Sequence, residues 1–421
     1  MHDHSFIVVR LFVVRKKFAE EPRHNSSYRW IIFSGVCGVY LGFGMVAMSL
    51  APLVGEIRSD LNLTRGEIGI ALGAWPFVYI LTSPIAGRVI DRLGVGFSMA
   101  VGASFVFVSG ITRSLTDSLP TLCMAVALFG VGGPLVSSCA PTAIGIWFKD
   151  DSERKFAVGA SITAPAIGSM AILVLSNSVL MPITNSWRWT IAIETFPIAM
   201  ALFFWMIISD IKIQKSQKSK EGKGETLKIW KSTIESSEIK IIFVLGVAVF
   251  FLSHGLGSWM PELLRENFEF SSMAASNWTA GSMGVGIFVS LFLPSRTHRQ
   301  NFSFVLSCVL LVVTASLVSI IFIPSYMIPL SIMIGGSRSV LVPLVILALM
   351  ESPKLNPKQM GTAYGLWFAS AEVGGVLGPI LVGSTADTTF GYDGAIGLMV
   401  AVCLFMIFLA YALRMRAHES I

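Results

Sequence analysis

Residues 300–323 read QNFSFVLSCVLLVVTASLVSIIFI, without one acidic or basic side chain. At 1.5 Å rise per residue a helix of this length crosses a hydrocarbon layer about 30 Å thick. It is also too long and too uniformly apolar for a barrel strand, whose sequence alternates. Working outward from it, similar stretches occupy residues 30–53, 66–90, 95–115, 119–146, 154–180, 187–209, 239–261, 272–294, 325–350, 358–386 and 391–414. In lipid only helices and closed barrels satisfy their own backbone groups. The fold class is therefore an all-α membrane protein with twelve transmembrane helices, expected as two six-helix bundles related by a pseudo-two-fold.

Composition supports this reading. Of 421 residues 54% are hydrophobic and 13% charged, against about 25% charged in a soluble domain. The net charge of +6 comes from basic residues scattered over loops, with no aromatic-interleaved patch for nucleic acid. Cys37, Cys123, Cys139, Cys308 and Cys403 all fall in apolar stretches, so neither a disulfide framework nor a zinc site is expected. No G-x-S-x-G, H-E-x-x-H or other constellation for a membrane enzyme is present, and no metal or cofactor is called for.

Basic loops resist translocation, so their distribution sets orientation. With the N-terminus inside, the inside segments hold 25 of the 31 lysines and arginines. The outside loops hold five, among them Arg58, Arg65, Arg113 and Arg265, and Arg338 lies within a span. Both termini are expected on the cytoplasmic side of the cell's inner membrane. Residues 1–29 read as a cytoplasmic extension, residues 210–238 as a Lys-rich linker and residues 415–421 as a tail. The linker divides the chain into bundles at 30–209 and 239–414. The halves repeat: Pro52 with Leu61-Asn62-Leu63-Thr64 after the first span is matched by Pro261 with Phe268-Glu269-Phe270-Ser271 after the seventh. Such repeats place a substrate site near the midplane between bundles.

After the second span the chain reads Gly87-Arg88-Val89-Ile90-Asp91-Arg92-Leu93-Gly94. This G-x-x-x-D-R-x-G run, on the inside face between spans two and three, resembles the signature of the major facilitator superfamily, and the resemblance covers about Trp30 to Arg414. It implies a secondary transporter that rocks two bundles, binds no cofactor and works as a monomer on a small molecule. It also implies that Gly87, Asp91, Arg92 and Gly94 latch the inside gate, with Asp91 near the start of span eleven around Lys358. The basic residues that usually follow are replaced by Val95, Gly96 and Phe97. Trp147-Phe148-Lys149 followed by Ala164-Pro165-Ala166-Ile167-Gly168 is similar to the monocarboxylate and oxalate–formate branch, which implies small organic anions. The expected function is transport of such an anion by alternating access, by proton coupling or exchange. The competing expectation is efflux of amphipathic or cationic compounds by proton antiport.

Arg338 and Glu372 are the costly residues. Both lie near the middle of their spans, and facing lipid each would cost about 2.5–3.5 kcal/mol. Two readings stand: a structural salt bridge between adjacent helices, or a role for Arg338 as ligand of a carboxylate with Glu372 as its competitor and proton carrier. His254 is a second proton-coupling residue, and Glu194 is read as structural. Tyr40, Trp75 and Trp367 are expected to line the cavity, Trp75 and Trp367 because they lie away from the interfacial aromatic belt. Gly374-x-x-x-Gly378-Pro379 in span eleven reads as close helix packing with a bend.

Overall fold

A computed structural model describes residues 27–209, 236–323, 327–352, 355 and 360–419. The expectations for residues 1–26, for most of the linker and for Lys358 lie outside these described residues. All regular structure among them is helical. Twelve helices are long and apolar enough to cross a membrane: spans one to six are Tyr28–Leu61, Arg65–Leu93, Val95–Arg113, Leu119–Trp147, Asp151–Thr184 and Trp187–Ile208. Spans seven to twelve are Ser237–Phe268, Ser272–Arg296, Phe302–Phe322, Ile328–Met350, Ala363–Ala386 and Gly391–Met415. The even number leaves both described ends on one side, called here the termini face.

Helix boundaries follow from capping chemistry. Thr64 and Glu67 form a reciprocal capping box at the start of span two, Asp150 accepts from the Ser152 and Glu153 N–H groups at 3.0 Å, and Ser271 caps span eight. Each satisfies donors that a helix start leaves orphaned. The repeat read from sequence reappears as backbone geometry. Asn62 and Glu269, ending spans one and seven, both adopt left-handed conformations, with φ of 58° and 57°. Pro52 and Pro261 differ, however. Span one breaks into a 3-10 turn at Ala51–Leu53, whereas span seven runs through Pro261 unbroken.

Small residues set how tightly spans pack. A Cβ on Gly374 or Gly378 would run into the carbonyls of Val247 and Phe251 on span seven, and one on Gly44 or Gly168 would do the same between spans one and five. Spans seven and eleven therefore lie backbone against backbone, as the small-residue spacing predicts. One apolar core fills the first bundle around Val36, Met99, Phe129 and Val136. A larger one fills the second bundle and reaches across to Leu50, Leu53 and Ile57 at the end of span one.

Candidate functional site

Spans two and eleven run antiparallel across the bundle interface. Contacts begin where Gly66 meets Ser384, continue through Gly69 with Ile380 and Gly73 with Val376, and reach the Tyr79 and Phe368 rings at 5.4 Å. Span two buries seven residues from Ile68 through Tyr79, but only Ala86 and Ile90 beyond. Spans five and eight behave alike. Asn177 donates to Ser276 at 2.8 Å, Met170 lies opposite Gly284, and farther along Phe288 and Leu291 are exposed. The bundles thus meet on the face opposite the termini and part below the midplane.

That opposite face is shut by charge. Arg58 reaches Glu266 at 2.8 Å and Glu262 at 3.6 Å, Arg65 reaches Glu266 at 2.7 Å and Asp387 at 3.4 Å, and Arg265 reaches Glu262 at 2.7 Å. Arg58 and Arg65 belong to the first bundle and the acids to the second. Read from sequence as ordinary loop charges, these residues form the closing cluster. The signal available beforehand was the concentration of opposite charges at the ends of spans one, two, seven and eleven.

On span eleven, between Phe368 and Val376, lies Glu372, 1% exposed. Its Oε2 has no hydrogen-bond partner and lies 3.9 Å from His254 Nδ1. A Cβ on Gly375 would stand 2.5 Å from that oxygen and 2.6 Å from that nitrogen, so the glycine keeps the space between the pair open. His254 stacks on Trp75 of the first bundle at 5.1 Å and on Phe250 at 5.4 Å. Trp75 also touches Phe129 and Tyr79. Tyr40 donates to the Ser137 carbonyl at 2.9 Å, and the Tyr79 hydroxyl lies 2.6 Å from Ser137 Oγ. Glu372, His254, Tyr40 and Trp75 thus occupy one polar and aromatic neighbourhood between the bundles.

Arg338 stands elsewhere. It lies in a 3-10 turn, Gly336–Val340, that interrupts span ten, and its Nη1 donates to Ser282 Oγ on span eight at 3.2 Å. It is 6% exposed. Among the described residues no carboxylate oxygen comes within 4 Å of it, so the salt bridge with Glu372 is not formed. Trp367 also departs from expectation. It is fully buried and donates to the Ile242 carbonyl at 3.1 Å, which places it in the packing of spans seven and eleven. The run from Gly87 to Leu93 forms the last turns of the span-two helix: Gly87, Asp91 and Arg92 are exposed, with no ion pair to Asp91 or Arg92 among the described residues, and Gly94 makes the turn with φ of 81°.

Arg113 differs most from the sequence reading. Arg113, counted as a loop charge, is 1% exposed and donates to the Val46 carbonyl at 2.5 Å and Ser49 Oγ at 3.0 Å. Glu194 is 2% exposed and hydrogen-bonded to Ser176. Among the described residues, no group of three or more His, Cys, Asp or Glu is placed to hold a metal.

A family model described as Major Facilitator Superfamily matches residues 32–362. The uncharacterized transporter YycB of Bacillus subtilis is 23% identical over 408 residues, covering 91% of this chain and 93% of that protein. Protein spinster of Drosophila melanogaster is 24% identical over 287 residues, 64% of this chain and 47% of that protein. A probable vesicular acetylcholine transporter of Danio rerio is 26% identical over 176 residues, 37% and 34% of the two chains. Among solved structures, the nucleoside transporter NupG superposes with a TM-score of 0.75 at 12% identity, covering 91% of this chain and 99% of that one. A bacterial homolog of the human lysosomal transporter spinster, in an inward-facing and unoccupied conformation, superposes with a TM-score of 0.72 at 14% identity, covering 93% and 97%. With twelve spans, two bundles closed on one face and parted on the other, and a family match across most of its length, the chain belongs to the major facilitator superfamily and is a transporter rather than an enzyme.

Proposed function

We propose that this transporter carries a small organic anion, with Arg338 as the anion ligand and Glu372, assisted by His254, as the site of a coupled proton. The supporting observation is that Arg338 and Glu372 are both buried and do not neutralise one another. The two are not equivalent. A carboxylate can shed its charge by taking a proton, whereas a guanidinium stays charged in a protein. Among the described residues no carboxylate supplies its counter-charge, and a substrate carboxylate supplies two oxygens in the geometry of the fork.

In this reading the termini face is cytoplasmic, as the lysine and arginine distribution favours, and the molecule is open to the cytoplasm. Return to the other state closes that side through Gly87, Asp91, Arg92 and Gly94 and breaks the ion cluster on the opposite face. The working unit is one chain in the inner membrane. A thermal-shift screen of mono- and dicarboxylates tests the assignment, repeated on Arg338→Gln. Stabilisation at saturating ligand grows with the ratio of concentration to Kd. A carboxylate that stabilises the parent but not Arg338→Gln supports the role; equal stabilisation of both excludes it.

A second reading rests on a different observation. Trp75, Tyr79, Phe250 and Phe368 gather around the His254 and Glu372 pair, and aromatic faces beside a carboxylate suit an organic cation. Relatives named as vesicular acetylcholine transporters favour it. In that case quaternary ammonium compounds stabilise the parent, and Glu372→Gln removes the effect while Arg338→Gln does not.

A further inference from the structure

A buried charged couple in the first bundle takes no part in the central site. Arg113 ends span three, and its Nη1 donates to the Val46 carbonyl and to Ser49 Oγ where span one breaks. Its Nε and Nη2 are buried with no hydrogen-bond partner, as is Glu194 Oε2 on span six. The two side chains interact electrostatically, yet no nitrogen and oxygen of the pair come within 4 Å. An ionised pair at this burial gains most by closing to a bidentate contact. This one stands open.

Ser176 explains why. Its hydroxyl lies 2.6 Å from the Ile172 carbonyl and also contacts Glu194 Oε1. A serine hydroxyl has one hydrogen and a carbonyl has none. That hydrogen serves either Glu194 Oε1 or the Ile172 carbonyl; when it lies on Ile172, the contact with Glu194 needs a hydrogen carried on the carboxyl, so the orientation of Ser176 follows the protonation of Glu194. The segments packed against Trp187–Glu194 are span three, Ser176–Leu180, Met181–Thr184 and Phe196–Ile208. Arg113 is the one charged or titratable side chain they contain. On its own helix, Arg188 is occupied by Asp60 at 2.6 Å.

We propose that Glu194 is a second proton-binding site, which decides the partner of Arg113. With the proton on, Arg113 stays on Val46 and Ser49 and holds the broken end of span one in the closed face. With the proton off, the carboxylate draws Arg113 across and frees that end. Ser176 opens a π-helical turn, Ser176–Leu180, a distortion that frequently marks functional positions. Its neighbour Asn177 donates to the Pro52 carbonyl and to Ser276 Oγ, each at 2.8 Å. Parting of the bundles at this face therefore uncovers the site to water, into which the proton leaves. The proposal concerns the first bundle and does not depend on the substrate reading or on Glu372.

The test uses purified full-length protein in nanodiscs, with the native cysteines replaced by serine or alanine. Spin labels go on Leu115→Cys and Phe390→Cys, exposed positions on either bundle at the closed face. Double electron–electron resonance follows the distance from mildly acidic to mildly alkaline buffer. The parent is expected to gain a longer-distance population as pH rises, while Glu194→Gln keeps the short distance throughout. A parent without pH response, or a Glu194→Gln that responds like the parent, overturns the proposal. So does a Glu194→Gln that is open at every pH, since the carboxylate would then be a structural tie. If Glu194→Gln does not fold, Ser176→Ala serves instead, because removing the hydroxyl must move the midpoint of the response. An unmoved midpoint overturns the proposal.

Discussion

The carboxylate of Asp387, just past the end of span eleven, caps the first turn of span two across the bundle interface: it accepts from the Gly66 N–H at 2.7 Å and the Arg65 N–H at 3.2 Å. A helix start leaves N–H groups without partners and carries partial positive charge. Here the cap for one bundle is supplied by the other, so it exists only while this face is closed. Its contribution belongs to the conformational equilibrium and not to the stability of either bundle. Asp387→Ala is expected to weaken closure by about 1 kcal/mol, roughly a fivefold change in the ratio of the two states. The same spin-label pair reads that ratio, and an unchanged distance distribution would count against the cap.

Gly375 keeps the gap between Glu372 and His254. Gly375→Ala puts a methyl group 2.5 Å from Glu372 Oε2, which forces the pair apart or off rotamer at a cost of about 1–3 kcal/mol. Transport is expected to fall by roughly tenfold or more with surface expression retained. Gly365→Ala serves as the control, since nothing lies within 4 Å of that site. Equal loss in both variants would show the effect to be general.

Gly378 is a packing residue, and its substitution is expected to register in stability. In Gly378→Ala the new Cβ meets the Phe251 carbonyl and the Gly255 nitrogen on span seven, both backbone atoms. Spans seven and eleven must separate, at about 1–3 kcal/mol. A lowered melting temperature without any change in ligand specificity is expected. Gly397→Ala, which meets nothing within 4 Å, is expected to leave the melting temperature unchanged.

Glu269 occupies a left-handed conformation, φ 57°, at the end of span seven. For an L-residue with a Cβ that conformation costs about 1–2 kcal/mol, and glycine adopts it freely. Glu269→Gly is expected to raise the melting temperature, offset in part by the greater freedom of glycine in the unfolded chain. A lowered melting temperature would mean that the side chain itself makes a stabilising contact.

Much of the architecture was legible because lipid permits few alternatives. A bilayer that requires about 20 apolar residues per helix fixes the span count directly from hydropathy. The half-repeat at Asn62 and Glu269 was visible because both turns need the same left-handed residue between an apolar helix end and a capping hydroxyl. Place within a span was legible for Arg338 and Glu372. Azimuth was not. Position along a span gives height in the membrane, but which way a side chain points depends on helix rotation, and at Arg338 a 3-10 turn alters the rotation locally. The expected partnership with Glu372 therefore did not appear, and Trp367 turned into helix packing. Arg113 was missed for a related reason. It stands at a span boundary, where hydropathy assigns a charge to the loop, while the helix turns it inward onto the Val46 carbonyl of a broken neighbour.

The most direct test of the central claim is proton flux coupled to substrate. Proteoliposomes containing the protein and a pH-sensitive dye receive a carboxylate identified by the stabilisation screen, and the luminal pH is followed. The account predicts a substrate-dependent pH change in the parent that is absent in Arg338→Gln and in Glu372→Gln, with exchange of labelled substrate surviving in Glu372→Gln. A flux of parental size in Glu372→Gln, or one evoked by organic cations and by no carboxylate, would contradict it.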